Sequence, residues 1–220
     1  MARESRPVVV FDFDGTLADT WRDIAAALNA TLADAGLPLA DGPEVRFWIG
    51  NGVMCLLERA IPESERSPES LRRLYEKFQD HYDAGCLNST ETYSGILECL
   101  DQLQDVELAV LSNKPARFLN KVIDGLDLKR YFRVVLGGDS GPERKPHPAA
   151  MLHLLEQMGR PAGRLWMVGD SAVDIETGRS VQAPTIGCTW GLRGREELRE
   201  AGADHLINHP DEIPALIFSR

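Results

Sequence analysis

Two acids one residue apart, set at the end of a short apolar run, constrain this chain more than any other feature. Val8-Val9-Val10-Phe11 leads into Asp12-Phe13-Asp14 and then Gly15-Thr16-Leu17. An unbroken β-branched run is the pattern of a central parallel strand buried on both faces. Alternate residues of a strand share a face, so Asp12 and Asp14 are expected to leave the strand end pointing the same way. Carboxylates held that close repel, and neither ionises comfortably without a compensating cation. A divalent metal with oxygen ligands meets that need, and Mg2+ prefers one or two carboxylates plus phosphate oxygens and waters. A bare Asp-x-Asp is more often an acidic turn. The apolar run ahead of it and the Gly-Thr behind it argue against that reading here.

Strand and helix signals alternate on both sides of one long helical stretch. Strands are expected at residues 8–12, 107–111, 133–136, 165–168, 184–188 and 205–207. Helices are expected at 95–103, after Ser112-Asn113-Lys114-Pro115, and at 148–158, 174–181 and 211–218. Such alternation implies an α/β fold, a Rossmann-like doubly wound, mostly parallel sheet with helices on both faces. From Trp21 the period is helical instead, with Ile24, Leu28, Leu32 and Ala35 ending at Gly36 and Pro38. Residues 46–52 form a glycine-punctuated loop before a short apolar helix at 53–60. Ser67-Pro68-Glu69 reads as an N-cap, a first-turn proline and a first-turn acid, opening a helix striped with Leu71, Leu74, Tyr75, Phe78 and Tyr82. The expectation is therefore an α/β core from 1–19 and 88–220, with a small α-helical domain, 20–87, inserted into it.

Charge and cysteine usage narrow the partners. With 34 acids against 24 Lys plus Arg, the net charge of -10 argues against nucleic acid or an anionic membrane as the partner. A small anionic substrate stays compatible, because a metal and a local group of cations override the global field. The four cysteines, Cys55, Cys86, Cys99 and Cys188, show no Cys-x-x-Cys spacing and read as reduced residues of a cytoplasmic protein. Arg3, Glu4 and Arg6 precede only a strand-length apolar run, so no leader peptide is expected.

In a parallel sheet, ligands bind outside the carboxyl ends of the strands. The chemically useful residues fall there. Asp12 and Asp14 end the first strand. Ser112 follows 107–111, where a hydroxyl and free amides can hold a phosphate. Gly169-Asp170-Ser171 follows 165–168, with Asp174 one helical turn on. Lys145 lies in Glu143-Arg144-Lys145-Pro146-His147-Pro148, a loop stiffened by two prolines. Singly these are ordinary: a helix cap, a turn, a solvated lysine. The ordered set is specific.

That order, Asp-x-Asp-Gly-Thr, Ser-Asn-Lys, Lys-Pro-x-Pro and Gly-Asp-Ser-x-x-Asp, resembles the haloacid dehalogenase-like superfamily over the whole chain. The helical insert after the first motif is similar to the superfamily's small cap. Trp48-Ile49-Gly50-Asn51-Gly52, Gly137-Gly138-Asp139 and Val168-Gly169-Asp170-Ser171 are in addition similar to the bacterial phosphoglycolate phosphatase group.

The resemblance implies a Mg2+-dependent phosphatase that works through an aspartyl-phosphate. Asp12 would be the nucleophile and Asp14 the general acid, then base. The metal would take Asp12, the backbone carbonyl of Asp14 and the carboxylate of Asp170, with Ser171 and Asp174 behind them. Ser112, Asn113 and Lys145 would bind phosphoryl oxygens, and Gly15 and Thr16 would turn the chain so that amides face them. The plainer reading of Asp174 is a helix-start acid favoured by the dipole.

Substrate choice would fall to the cap, swinging on hinges near Asp19-Thr20 and 88–94. The substrate's far end would meet Trp48, Gly50 and Asn51, and its carboxylate would pair with Arg46, Lys114 or Arg117. Phe47 and Trp48 as cap core, with solvated arginines, is the other reading. Arg193 is either an added anion contact or a surface charge. 2-Phosphoglycolate is the expected substrate. A sugar phosphate, pyrophosphate, a phosphomutase reaction and a receiver-like phospho-accepting domain stay open, as does a homo-oligomer.

Overall fold

A computed structural model describes residues 6–159 and 164–219; Arg3 and Glu4 of the segment read as unlike a leader lie outside them. The chain opens with strand β1 (Val8–Phe11), a short β2 (Ala18–Asp19), and helices α1 (Trp21–Asp34), α2 (Gly42–Val45), α3 (Val53–Ala60) and α4 (Pro68–Gly85). It continues through β3 (Glu91–Thr92), α5 (Ile96–Gln102), β4 (Glu107–Leu111), α6 (Ala116–Gly125), β5 (Val134–Leu136) and α7 (Pro148–Met158). The last elements are β6 (Leu165–Gly169), α8 (Ala172–Ser180), β7 (Thr185–Cys188), α9 (Arg195–Glu200), β8 (His205–Ile207) and α10 (Glu212–Phe218). Six strands form one parallel sheet in the order β5-β4-β1-β6-β7-β8, so the Asp12 strand lies inside it. Among the described residues no helix is long and apolar enough to cross a membrane.

Burial on both faces explains the apolar strands. Val9 and Phe11 join one buried cluster, whereas Val8 and Val10 join the other, and β6 divides likewise between Trp166 and Val168 and between Leu165 and Met167. Alternate side chains thus pack against opposite helical layers. The first cluster runs on into α1, α3 and α4 without a break. On α4, capped by Ser67 Oγ accepting from the Ser70 N–H at 3.2 Å, Phe78 stacks on Tyr82. Tyr82 in turn meets Phe118 of α6 edge-on, with ring centroids 5.1 Å apart.

The expected strands and helices are all present, with ends displaced by one or two residues where local bonding decides. The helix expected from Asp174 starts at Ala172, and residues 46–48 wind into a 3-10 turn within the expected loop. Periodicity gave no sign of the antiparallel pair β2–β3, two residues to a strand, through which the chain enters and leaves the helical stretch. Beside it the buried Asp23 carboxylate accepts from the Ser89 and Thr90 N–H groups and from Thr90 Oγ1, at 2.8 to 3.0 Å. One side chain in the first turn of α1 therefore fastens the returning strand.

Removing that fastening should be costly, because it leaves buried donors unpaired. Asp23→Ala is expected to lose roughly 2–4 kcal/mol of unfolding free energy. Urea denaturation would measure it; a loss below about 1 kcal/mol would show that water or a neighbour replaces the carboxylate.

Candidate active site

The carboxyl ends of β1, β4 and β6 and the loop before α7 converge on one cluster. Lys145 Nζ lies 2.8 Å from Asp12 and 2.6 Å from Asp174, all three being buried. Oxygens of Asp12, Asp170 and Asp174 come within 4.8 Å of one another. Two of the acids are also held from outside. Asp170 accepts from Thr16 Oγ1 at 3.1 Å and from the Leu192 N–H at 2.7 Å. Asp174 accepts from the N–H and hydroxyl of Ser171, so it is a helix-start acid and a site acid at once. The Lys145–Pro146 peptide bond is cis.

Glycines make this crowding sterically feasible. A Cβ on Gly15 would strike the Asp170 carboxylate, one on Gly169 would strike Asp174, and one on Gly191 would strike Asp170 and the Gly15 carbonyl. Gly15 also has φ +91°, a conformation side-chain-bearing residues rarely adopt.

Three buried carboxylates face one ammonium here, which leaves negative charge uncompensated. Burial and the neighbouring Asp174 push Asp12 up to about 7, although Lys145 opposes the shift. Burial, Asp174 and Asp12 push Asp170 well above the usual carboxylate range. Burial pulls the Lys145 ammonium down, but Asp12 and Asp174 more than reverse it. Hard oxygen donors at short mutual range, short of positive charge, suit a divalent cation such as Mg2+ or Ca2+.

Asp14 lines the same cavity as Asp12, but with different partners. Its Oδ1 accepts from Thr20 Oγ1 at 2.6 Å and from Lys114 Nζ at 2.9 Å, and Oδ2 accepts from Lys114 at 3.2 Å. Lys114 Nζ sits 4.6 Å from the centre of the Tyr82 ring, on α4. Burial lowers this ammonium, yet Asp14 and Tyr82 carry it above its ordinary value. Lys114 is thus engaged by Asp14 rather than standing open.

Other residues singled out from sequence are distributed as follows. Ser112 is buried against the cavity, its Oγ accepting from the Lys114 N–H at 3.3 Å. Asn113 spends both hydrogens of its amide on carbonyls, one of Gly50 and one of Lys145, each at 3.0 Å. Gly15 and Thr16 turn their N–H groups onto the Ala18 and Phe13 carbonyls, because a tight turn closes its own bonds, and the Thr16 hydroxyl donates to Asp170. Arg117 pairs with Asp83 on the surface and does not line the cavity. Arg46 reaches the Gly191 carbonyl at 3.4 Å and lies over Trp21. Trp48 packs partly buried on the core, Phe47 is exposed, and Asn51 Oδ1 accepts from Arg59.

Successive carbonyls of this loop are held one at a time: Trp48 by Arg59, Ile49 by Arg193 at 2.8 Å, and Gly50 by Asn113. Arg193 is accordingly a contact to the helical segment. Sequence reasoning read Thr20 only as part of a hinge and Tyr82 only as a stripe residue, and so missed their contacts with Asp14 and Lys114. Trp190, whose Nε1 donates to the Thr16 carbonyl, and Leu192, whose N–H donates to Asp170, were not read as site contacts.

Known proteins resemble this chain over most of its length. The pattern of the family described as haloacid dehalogenase-like hydrolase matches residues 9–188. A phosphoglycolate phosphatase of Pseudomonas savastanoi pv. phaseolicola is 34% identical over 96% of this chain and 78% of its own length. One from Colwellia psychrerythraea is 32% identical over 97% of both chains. A crystal structure described as a predicted phosphoglycolate phosphatase from Haemophilus somnus 129pt superposes with a TM-score of 0.88 at 29% identity, covering 96% of this chain and 97% of that one.

The raised acids yield a pH prediction. A carboxylate at 3.8 when unfolded and near 7 when folded stabilises most below the lower value, and that contribution is lost as pH rises through the upper one. The metal-stripped protein should therefore lose melting temperature between about pH 4 and pH 7 through Asp12, and Asp12→Asn should flatten the decline. Added Mg2+ should raise the melting temperature more at pH 7.5 than at pH 5. Scanning calorimetry with and without chelator checks both, and an equal Mg2+ effect at the two pH values would count against a metal on these acids.

Proposed function

The chain belongs to the haloacid dehalogenase-like hydrolases, and on that premise we propose that it is a Mg2+-dependent phosphatase that hydrolyses 2-phosphoglycolate to glycolate and phosphate. The observation that carries the chemistry is the convergence of Asp12, Lys145, Asp170 and Asp174, from segments far apart in sequence, beside a cavity also lined by Asp14. The substrate rests on the relatives, which bear the name phosphoglycolate phosphatase.

Mg2+ would be held by Asp12, Asp170 and the Asp14 backbone carbonyl, with Asp174 beside them, and would supply positive charge to the phosphoryl oxygens. The remaining chemistry belongs to the chain. A carboxylate oxygen of Asp12 attacks phosphorus, the bond to the alcohol oxygen breaks, and Asp14 protonates the departing glycolate. Water then attacks the phosphorus of the aspartyl-phosphate as Asp14 takes its proton, releasing inorganic phosphate and restoring Asp12. Lys145 has three donors, two committed to Asp12 and Asp174, and the third can meet a phosphoryl oxygen. The Ser112 hydroxyl and the backbone N–H of Asn113 join it, the Asn113 side chain being occupied. Together they stabilise the charge spread over phosphorus in the transition state.

Helices α1 to α4, residues 20–87, act in this reading as a cap whose loop 48–52 excludes water from the acids. Support comes from Ile49, Gly50 and Gly52, which line the cavity together with Asp12.

Asp12→Asn should lower turnover on the order of 10^3-fold or more while the protein stays folded. Acid-quenched wild-type enzyme should carry phosphate on Asp12 by peptide mass spectrometry. Near-parental turnover by the variant, with deamidation excluded, would remove Asp12 as nucleophile. In a panel of 2-phosphoglycolate, sugar phosphates and pyrophosphate, phosphate release should be fastest from the first. A sugar phosphate that outpaces it would overturn the substrate.

A further inference from the structure

The cavity beside the acids is mostly apolar, with Ile24, Ile49, Leu56, Phe78 and Phe118 among its walls. Among its described lining residues Lys114 is the only cation. Lys114 comes from the segment between β4 and α6, is 7% exposed, and lies between the Asp14 carboxylate and the Tyr82 ring. Both oxygens of Asp14 are occupied, one by Thr20 and Lys114 and the other by Lys114. A carboxylate bridged by the ammonium on both oxygens is oriented by Lys114 and Thr20, and not by a leaving group.

We propose that Lys114 determines specificity by exchange: the substrate's carboxylate takes the ammonium from Asp14, and in doing so frees Asp14 to face the leaving oxygen. The inference rests on the phosphatase reading of the site and adds a condition to it. A phosphate ester without a second anion leaves the Lys114–Asp14 pair closed, so it is turned over slowly even when bound.

The surroundings favour such an exchange. Between apolar walls a bare ammonium is costly, so Lys114 must always hold one anion, and a carboxylate arriving there replaces Asp14 without leaving a charge unpaired. The Tyr82 ring face contributes to holding the cation while its anion changes. Thr20 keeps one hydrogen bond to Asp14 throughout, which limits how far the freed acid travels. Of the other cations read from sequence as candidates, Arg117 is paired with Asp83 and Arg46 is turned to the Gly191 carbonyl.

The test compares 2-phosphoglycolate with 2-hydroxyethyl phosphate, in which the carboxylate is replaced by an alcohol, in the full-length enzyme with Mg2+. In wild type the carboxylate should raise kcat as well as lower KM. In Lys114→Met the kcat/KM preference should fall roughly 30-fold or more, as expected when one partner of a desolvated charge pair is truncated. Lys114→Arg should recover part of it. A wild-type enzyme with no preference would overturn the substrate reading and this inference together. A preference that survives in Lys114→Met would overturn the Lys114 assignment alone. A preference confined to KM would overturn the release of Asp14.

A binding measurement covers the case in which Lys114→Met does not fold. 3-Phosphonopropionate, a non-hydrolysable analogue with carboxylate, and propylphosphonate, without one, are titrated calorimetrically into wild type and Asp14→Asn. With its internal competitor removed, Lys114 is available in every molecule, so the carboxylated analogue should gain roughly tenfold in affinity relative to its control. An unchanged or weakened relative affinity would show that the two carboxylates do not compete.

Discussion

The buried ammonium of Lys145, in contact with Asp12 and Asp174, is the interaction on which the rest of the structure depends. Three carboxylates at this range in a protein interior would be untenable without it, since a buried charge left unpaired costs several kcal/mol. Asp12 follows β1, Asp174 lies on α8, and Lys145 arrives from the loop before α7. Each is fixed by an element of the sheet's own packing, so assembling the fold and assembling the charge cluster are one process. The residual negative charge is then a property of the fold itself, and it explains why oxygen ligation of a cation is the chemistry available there.

A second ammonium–carboxylate pair, Lys114 with Asp14, stands on the side of the cavity nearer the helical segment. The two pairs differ in what surrounds them. Lys145 lies between two acids, whereas Lys114 has an aromatic ring from α4 against it. The first pair is thus built into the sheet, and the second, also from the core, lies against the helical segment through Thr20 and Tyr82. Along the same boundary, Arg193 and Asn113 reach the Ile49 and Gly50 carbonyls from the core, and Arg46 reaches the Gly191 carbonyl from the other side. These contacts read backbone, so they fix where the loop lies without depending on its side chains.

Much of this was readable from sequence, and what escaped it did so for physical reasons. Asp12, Asp14, Lys145, Asp170 and Asp174 stood out because parallel strands place their following residues at one edge, and apolar strands are easily found. Helix α3 was bounded correctly because its apolar run and flanking breakers are local. Helix α9 was missed because a six-residue helix burying only Leu198 has no periodicity to detect. Asp23 looked like any first-turn acid, since its partners, two backbone N–H groups and one hydroxyl, lie 66 and 67 residues away in sequence. Gly15 and Thr16 were expected to turn the chain so that amides face a phosphate; the chain does turn there, and the turn uses their own two N–H groups. Lys114 looked open for the same underlying reason: a cation's partner is decided by tertiary packing, and composition is silent about it.

The glycines against Asp170 and Asp174 have a consequence for how this protein tolerates variation. At Gly15, Gly169 and Gly191 a single methyl group would occupy the volume in which the carboxylates sit. The positions least open to replacement are therefore ones with nothing to remove. A survey that deletes side chains would score them as silent, although the room they leave vacant is as much a part of the acid cluster as the acids.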